Sequence, residues 1–306
     1  MKLQLGLQRV ATATGRRGSR AQSTLSYRVY EDTSSGKTPT KTAFVMHGIL
    51  GNKMNWRTFS LKLANAKPDW RFVTLDHRAH GDSPSLNAPH TVSACSEDLL
   101  RLADELQAEP DVVIGHSFGG KVAIGYLEEA QRHSRKLPEQ VWALDSLPGD
   151  VTTDYSNRKL TASIERVLPV LKTIPLPIHS KNKLIEDLQA GGLSLGEAQW
   201  LTTNLKLIST QPEAYDWKMD VPVIEELFAS FLATDMWPIV LDSPPETEVH
   251  FVRAERSKMW TPRIIEYLPT LKDKGVHYHL LPKADHWVHI DNPAGLLDIL
   301  LKNLPA

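Results

Sequence analysis

The chain has 306 residues, 41% of them hydrophobic, which is enough to bury one large core. Its 35 basic and 36 acidic residues leave a formal net charge of -1, so it lacks the basic excess that non-specific nucleic-acid binding uses, and we expect no nucleic-acid partner. The single cysteine, Cys95, excludes an intramolecular disulfide and a cysteine-based zinc site.

The amino-terminal segment, residues 1–24, differs from the rest in composition. It combines Lys and Arg with several Ser and Thr, and the first acidic residue of the chain is Glu31. This bias is typical of an organellar transit peptide, with a disordered basic tail on a cytoplasmic enzyme as the alternative. Charged or polar residues interrupt every apolar run well before the roughly 18 residues that a membrane-spanning helix needs, so we expect no transmembrane segment.

Strand and helix patterns then alternate along the chain. The spacing of Leu99, Leu102, Ala103 and Leu106 predicts a helix over residues 92–106, and residues 121–130 read as a second helix. Short apolar, β-prone runs predict strands at residues 25–31, 42–46, 71–75, 112–114, 141–144, 249–252 and 278–281. This alternation predicts an α/β fold with a mostly parallel, doubly wound sheet.

Residues 149–243 interrupt this alternation of strand and helix patterns. They hold helical patterns at residues 163–171, 183–188 and 223–232 and no convincing strand. We therefore predict a helical cap inserted into a core formed by residues 25–148 and 244–306. The proline-containing stretch 168–178 is a candidate hinge for that cap, and ordinary packing helices are the alternative.

A Gly-x-Ser-x-Gly motif occupies residues 115–119, between an apolar strand and helical sequence. This is the pattern of a nucleophile elbow, in which Gly115 and Gly119 remove side chains that would collide in a sharp strand-to-helix turn. The turn exposes Ser117 at its apex as the candidate nucleophile. The N–H of Phe118, at the start of the helix, is the expected first donor to an oxyanion.

An upstream loop fits the same chemistry. Residues 45–51 read Val-Met-His-Gly-Ile-Leu-Gly, a buried strand that ends in His-Gly about 70 residues before the serine. We expect the N–H of Ile49 to be the second oxyanion donor. His47 itself reads as a buried turn residue rather than a catalytic one.

A serine nucleophile needs a base that follows it in this chain order. His286 lies in a loop between a strand end and the last helix, where the base of such a fold stands, and His289 is the runner-up. His277 and His279 fall on or beside a strand and read as structural.

The acid that orients the base has two candidates. The position after the penultimate strand that usually carries Asp is Ser257, but Glu255 lies two residues before it. Asp145 ends the strand that follows the elbow, and a carboxylate at that edge of the sheet can reach the same imidazole. Asp145 is the preferred acid and Glu255 the alternative.

These strings resemble one branch of the α/β hydrolases, the branch that contains abhydrolase domain-containing protein eleven and small bacterial acyl-esterases. The resemblance spans roughly residues 25–304. It rests on residues 47–52 (His-Gly-Ile-Leu-Gly-Asn), 55–56 (Asn-Trp), 75–84 (Leu-Asp-His-Arg-Ala-His-Gly-Asp-Ser-Pro), 115–121 (Gly-His-Ser-Phe-Gly-Gly-Lys), 201–205 and 217–220.

The resemblance implies a serine enzyme that hydrolyses carboxylic ester or thioester bonds of small to medium acyl substrates without metal or organic cofactor. Members of the branch tend to lack the acid after the penultimate strand, and the bacterial relatives carry it on the strand after the elbow, which favours Asp145. The animal members of the branch are mitochondrial, which agrees with the composition of residues 1–24. Import into chloroplasts is the alternative. Two other functions compete with hydrolysis. One is acyl transfer through the same acyl-enzyme, and the other is ligand binding by a protein without catalytic activity.

Overall fold

The computed structural model describes residues 25–34, 36, 38–152 and 158–306, so the predicted leader, residues 1–24, lies outside the described part. The strands in that part are β1 (Tyr27–Tyr30), β2 (Lys41–Met46), β3 (Trp70–Leu75), β4 (Val112–His116), β5 (Gln140–Leu144), β6 (Leu205–Thr210), β7 (Glu213–Trp217), β8 (Glu248–Ala254) and β9 (Val276–Leu281).

Helices connect the strands and cover the sheet. They are α1 (Arg57–Ala66), α2 (Val92–Leu106), α3 (Phe118–Arg132), α4 (Arg158–Thr173), α5 (Lys181–Ala190), α6 (Leu195–Leu201), α7 (Val221–Ala233), α8 (Trp237–Leu241), α9 (Pro262–Tyr267), α10 (Val288–Asp291) and α11 (Pro293–Asn303). Short 3-10 helices span Lys53–Trp56, Thr202–Asn204 and Leu268–Lys274.

The central sheet has seven strands in the order β1-β3-β2-β4-β5-β8-β9. Only β1 is antiparallel to its neighbour, and the other pairs are parallel. The predicted fold class, a mostly parallel sheet between helices, is confirmed.

Both faces of the sheet are buried, which explains why its strands read as continuous apolar runs. Along β2, Phe44 and Met46 point into one core and Ala43 and Val45 into the other, as the two-residue period of a strand requires. Helices α2 and α3 cover the first face, and α1 and α11 cover the second.

The insertion between β5 and β8 contains α4 to α8, of which α4, α5 and α7 match the helical patterns predicted at residues 163–171, 183–188 and 223–232. The expectation that it holds no strand is wrong, because β6 and β7 form an antiparallel hairpin around Gln211 and Pro212. The hairpin escapes a search for buried strands because Leu207 and Ile208 on β6 are each 52% exposed. The exact division between core and cap stays a prediction.

The proposed hinge, residues 168–178, begins inside α4 and ends at Ile178, which pairs with Tyr215 of β7 through two backbone hydrogen bonds of 2.8 Å. Its role as a hinge stays a prediction. Among the described residues, no helix combines the length and the apolar character needed to cross a bilayer.

Candidate active site

Ser117 lies at the junction of β4 and α3. Its φ of 53° and ψ of -117° place a non-glycine residue at positive φ, the strain expected of a nucleophile elbow. A Cβ added at Gly115 would lie 1.8 Å from the carbonyl oxygen of Gly119, so the backbone of the turn leaves no room for a side chain there. The N–H of Ser117 donates to the carbonyl of Leu144 on β5 over 3.0 Å, which fixes the turn to the sheet.

The loop after β2 packs directly against this elbow. A Cβ added at Gly48 would lie 3.2 Å from the Cβ of Ser117, and one at Gly119 would lie 2.7 Å from the carbonyl oxygen of His47. The Leu50 N–H donates to Nε2 of His80, over 3.1 Å, and is therefore occupied. The N–H of the preceding residue, Ile49, thus stays the proposed oxyanion donor from this loop, together with that of Phe118 at the first position of α3.

His286 and Asp145 meet at the carboxyl edge of the sheet. Nδ1 of His286 lies 2.8 Å from Oδ2 of Asp145, whose side chain is fully buried. The other carboxylate oxygen, Oδ1, accepts hydrogen bonds from the indole Nε1–H of Trp260 over 2.7 Å and from the backbone N–H of Ala254 over 3.1 Å. Three donors therefore surround Asp145 and fix its position.

The strand order explains why Asp145 reaches the imidazole. Asp145 follows β5, His286 follows β9, and β8 lies between them in the parallel sheet, so both residues emerge at the same edge. The alternative acid, Glu255, is exposed and accepts a hydrogen bond from the Lys283 N–H over 2.7 Å. Ser257, at the usual acid position, is buried, and its Oγ accepts a bond from the Met259 N–H.

His116, the residue before the serine, supports the histidine loop. Its Nε2 lies 2.7 Å from the carbonyl oxygen of His286, so Nε2 carries the proton and donates it. The two rings are 4.8 Å apart. Burial lowers the pKa of His116 well below its ordinary value, so the ring is neutral.

The runner-up base, His289, packs against Trp56. Its ring stacks on Trp56 at 4.4 Å, and burial lowers its pKa to about 4. His277 and His279 lie on β9.

Three further histidines, His47, His77 and His80, pack against one another under the loop that follows β2 and carries Ile49. We call this loop the oxyanion loop and the three histidines the histidine floor. The His77 backbone N–H donates to Nε2 of His47, whose Nδ1–H donates to the carbonyl of Gly48. Burial lowers the pKa of His47 to about 4 and that of His80 to about 3. All three act as neutral hydrogen-bonding groups at physiological pH.

A buried asparagine joins the cap to the oxyanion loop. Asn204 lies between α6 and β6 and is 1% exposed. Its Nδ2 donates to the carbonyl of Leu50 over 2.7 Å, and its Oδ1 accepts from Nδ2 of Asn52 over 2.8 Å. The cap thereby holds the residue that follows the proposed donor Ile49.

Lys121 joins the cap to the helix that follows the nucleophile. Its buried ammonium donates to the carbonyls of Gly149, Phe231 and Thr234 over 2.8, 2.7 and 2.6 Å. Burial lowers its pKa to about 8. Three N–H groups of one lysine thus bind the entry of the cap and the end of α7.

A cavity of about 420 Å³ lies between cap and core. Its wall includes Leu147, Val151, Trp237, Thr261 and Ile264. None of Ser117, His286 and Asp145 lines it. Nearer the base, Trp200 of the cap packs against Trp287 with ring centroids 5.0 Å apart.

The sequence did not reveal the roles of Trp260, His116 and Asn204. From the sequence, Trp260 and Trp287 are candidates to line an acyl pocket, with core filling as the alternative, and His116 is only a variable position of the serine motif. Asn204 belongs to the Leu-Thr-Thr-Asn-Leu string that carries the resemblance, and its place in that string was the signal that the sequence offered.

Comparison with known proteins identifies the class of protein that has this fold and site. The sequence profile of the alpha/beta hydrolase family matches residues 43–299, and the chain belongs to that family. The resemblance seen in the sequence is therefore confirmed.

Two individual relatives and one solved structure show how similar the chain is to known proteins. The chain is 26% identical over 271 residues, 88% of its own length and 80% of the relative's, to the sn-1-specific diacylglycerol lipase ABHD11 of Danio rerio. It is 24% identical over 280 residues, 83% and 74% of the two lengths, to a probable alcohol acetyltransferase of Saccharomyces cerevisiae. A solved marine microorganism esterase superposes with a TM-score of 0.76 at 21% identity and covers 92% of this chain and 99% of its own, which shows the shared fold.

Proposed function

We propose that the protein is a serine hydrolase that cleaves carboxylic ester or thioester bonds through an acyl-enzyme on Ser117. The observation that carries the proposal is the contact of 2.8 Å between Nδ1 of His286 and the buried carboxylate of Asp145, at the same sheet edge as the strained serine. Membership of the alpha/beta hydrolase family and its lipase and esterase relatives support hydrolysis of esters.

The proposed reaction assigns a role to each of these residues. Nε2 of His286 accepts the proton of Ser117 Oγ while Oγ attacks the acyl carbonyl carbon. The N–H groups of Ile49 and Phe118 stabilise the oxyanion, and removal of one such donor typically costs about two to three orders of magnitude in kcat. His286 then protonates the leaving alcohol or thiol, and water repeats the sequence to release the acid. Asp145 holds the Nδ1–H tautomer and stabilises the imidazolium.

A fluorophosphonate probe tests for the activated serine. We expect covalent labelling of the purified protein at Ser117, mapped by mass spectrometry, and none in Ser117→Ala. Absence of labelling in protein shown to be folded would overturn the proposal and favour a ligand-binding protein without activity.

A second experiment tests which substrates the protein hydrolyses. We propose short to medium acyl esters, with acylglycerols included because ABHD11 relatives are named as diacylglycerol lipases. Hydrolysis of p-nitrophenyl esters of rising acyl length, of diacylglycerol and of acyl thioesters is to be measured on the same preparation. An added alcohol tests acyl transfer: formation of a new ester faster than free acid would replace hydrolysis by transfer, the activity named in the yeast relative.

We further propose that residues 1–24 direct the protein to mitochondria, on the basis of their Arg, Ser and Thr content. A fusion of this segment to a fluorescent protein is expected to enter mitochondria, whereas a matched fusion with Arg16 and Arg17 changed to Glu stays outside. Equal distribution of the two fusions would refute the address.

A further inference from the structure

A cluster of histidines and one glutamate lies at the edge of the sheet opposite the candidate active site. Glu248 and His250 are two residues apart on β8 and therefore share a face, and His277 on β9 is the cross-strand partner of His250. Glu248 is six residues before Ala254, whose N–H bonds to Asp145, which corresponds to roughly 20 Å along an extended strand. The proposed reaction makes no use of this cluster.

Three potential ligand atoms converge there. Nε2 of His250 lies 3.2 Å from Oε2 of Glu248, and Nε2 of His277 lies 3.5 Å from Oε1 of the same carboxylate. One ligand atom from each of the three residues lies within 4.8 Å of the other two. A first-row ion about 2.1 Å from each ligand holds such atoms within roughly 4 Å of one another. Reaching that separation requires rotation of Glu248 and His277, whose side chains are 48% and 28% exposed.

The surroundings hold the ligands as the second shell of a metal site does. Nδ1 of His250 lies 3.0 Å from Nε2 of His279, and the Gln140 Nε2–H donates to Oε2 of Glu248 over 2.8 Å. Trp142 stacks on the ring of His250 at 4.0 Å, and His250 is 2% exposed. A ligating histidine in proteins almost always donates its other ring N–H to a neighbouring acceptor, which fixes its orientation.

The hydrogen bonds between the rings permit metal binding by a change of tautomer. Without a metal, Nε2–H of His279 donates to His250, and Nε2–H of His250 donates to Glu248. With a metal on Nε2 of His250, each ring moves its proton to Nδ1, and Nδ1–H of His250 donates to His279.

We propose that Glu248, His250 and His277 form a binding site for one Zn²⁺ ion, with His279 and Gln140 orienting the ligands. Two imidazole nitrogens and one carboxylate are a ligand set that Zn²⁺ takes in proteins, with water in the fourth position. Ions that prefer oxygen ligands, such as Mg²⁺ and Ca²⁺, do not suit two imidazoles. The site joins β8 to β9, the strands that lead to Trp260 and His286.

Calorimetric titration of the full chain, without a histidine tag, with ZnCl₂ tests the site. We expect one Zn²⁺ per chain, a rise of Tm that EDTA reverses, and no response to Mg²⁺. Co²⁺ is expected to give the visible absorption of a four-coordinate ion. These readouts are independent of hydrolysis, so failure here leaves the proposed function standing.

Variants separate this site from adventitious binding. Glu248→Gln and His277→Ala each remove an exposed or half-exposed ligand and are expected to abolish the saturable binding. His279→Ala is expected to weaken it by about 10- to 100-fold, the usual effect of losing an orienting partner. His179→Ala, a change of another exposed histidine, is the matched control and keeps full affinity. The proposal would be overturned if the wild type showed no saturable Zn²⁺ binding. It would also be overturned if Glu248→Gln and His277→Ala bound Zn²⁺ as tightly as the wild type.

Discussion

Oδ2 of Asp145 lies 2.8 Å from Nδ1 of His286, although the two residues are 141 positions apart in the chain. The carboxylate follows the strand after the nucleophile and reaches past β8 to the histidine loop. Its second oxygen is held by Trp260 and Ala254, so the contact is part of a rigid, buried arrangement. This contact favours Asp145 over Glu255, the two acids that the sequence left as candidates.

Asp145→Asn is expected to lower kcat by about four orders of magnitude, the cost of losing the acid in a triad enzyme. The asparagine keeps an oxygen for Trp260 and Ala254, but its NH₂ group cannot accept the Nδ1–H of His286, which therefore adopts the wrong tautomer. Steady-state kinetics on an ester substrate, together with Tm, measure the effect. Glu255→Gln is the matched control and stays near wild type because the exposed Glu255 carboxylate accepts the Lys283 N–H, a bond that a glutamine oxygen can also accept. The reverse ranking would make Glu255 the acid.

His116 is expected to position the base through the hydrogen bond of 2.7 Å to the His286 carbonyl. His116→Leu removes the donor and lowers kcat by about fivefold, in line with a hydrogen bond of about 1 kcal/mol, while KM changes little. His116→Gln restores an N–H donor and is expected to recover part of the loss. Kinetics of all three proteins, with the rate of fluorophosphonate labelling, decide the matter. Equal losses in both variants would show that His116 serves packing alone.

Local strings in the sequence predicted the parts of the site that depend on short-range structure. Ser117 and the glycines around it are determined by the strand-to-helix turn, and the strand at residues 42–46 was visible because both of its faces are buried. The contact of Trp260 with Asp145 depends on the distance between two separate loops, which no local pattern encodes. The β6–β7 hairpin was missed because it is half exposed and carries no clean alternation.

Asn204→Ala is expected to affect both stability and turnover. It leaves the Leu50 carbonyl and the Asn52 amide without their buried partner, which costs about 3 kcal/mol of unfolding free energy. It also frees the loop that carries Ile49, so we expect kcat to fall roughly tenfold because catalysis depends on the position of that donor. Denaturant unfolding and kinetics measure the two effects. Asn182→Ala, an exposed asparagine on α5, is the control. A fall in stability with unchanged kcat would show that Asn204 anchors the cap without holding the oxyanion loop.

The buried histidines make stability depend on pH below neutrality. Burial lowers the pKa of His80 from 6.5 to about 3 in the folded protein, so between these values only the unfolded chain binds the proton. The unfolding free energy therefore falls as pH falls, by about 1.4 kcal/mol per pH unit for each such histidine, and the full contribution is present above pH 6.5.

His80→Gln isolates this effect, because a glutamine can accept the Leu50 N–H and donate to the Arg78 carbonyl but does not titrate. Urea unfolding at pH 7.5 and pH 5.0 measures the loss of stability in the wild type and in the variant. The loss is expected to be smaller by about 2 kcal/mol in the variant, since 1.5 pH units of one proton's linkage are removed. An equal loss in the two proteins would mean that His80 is protonated in the folded state, and that the histidine floor under the oxyanion loop is not held neutral.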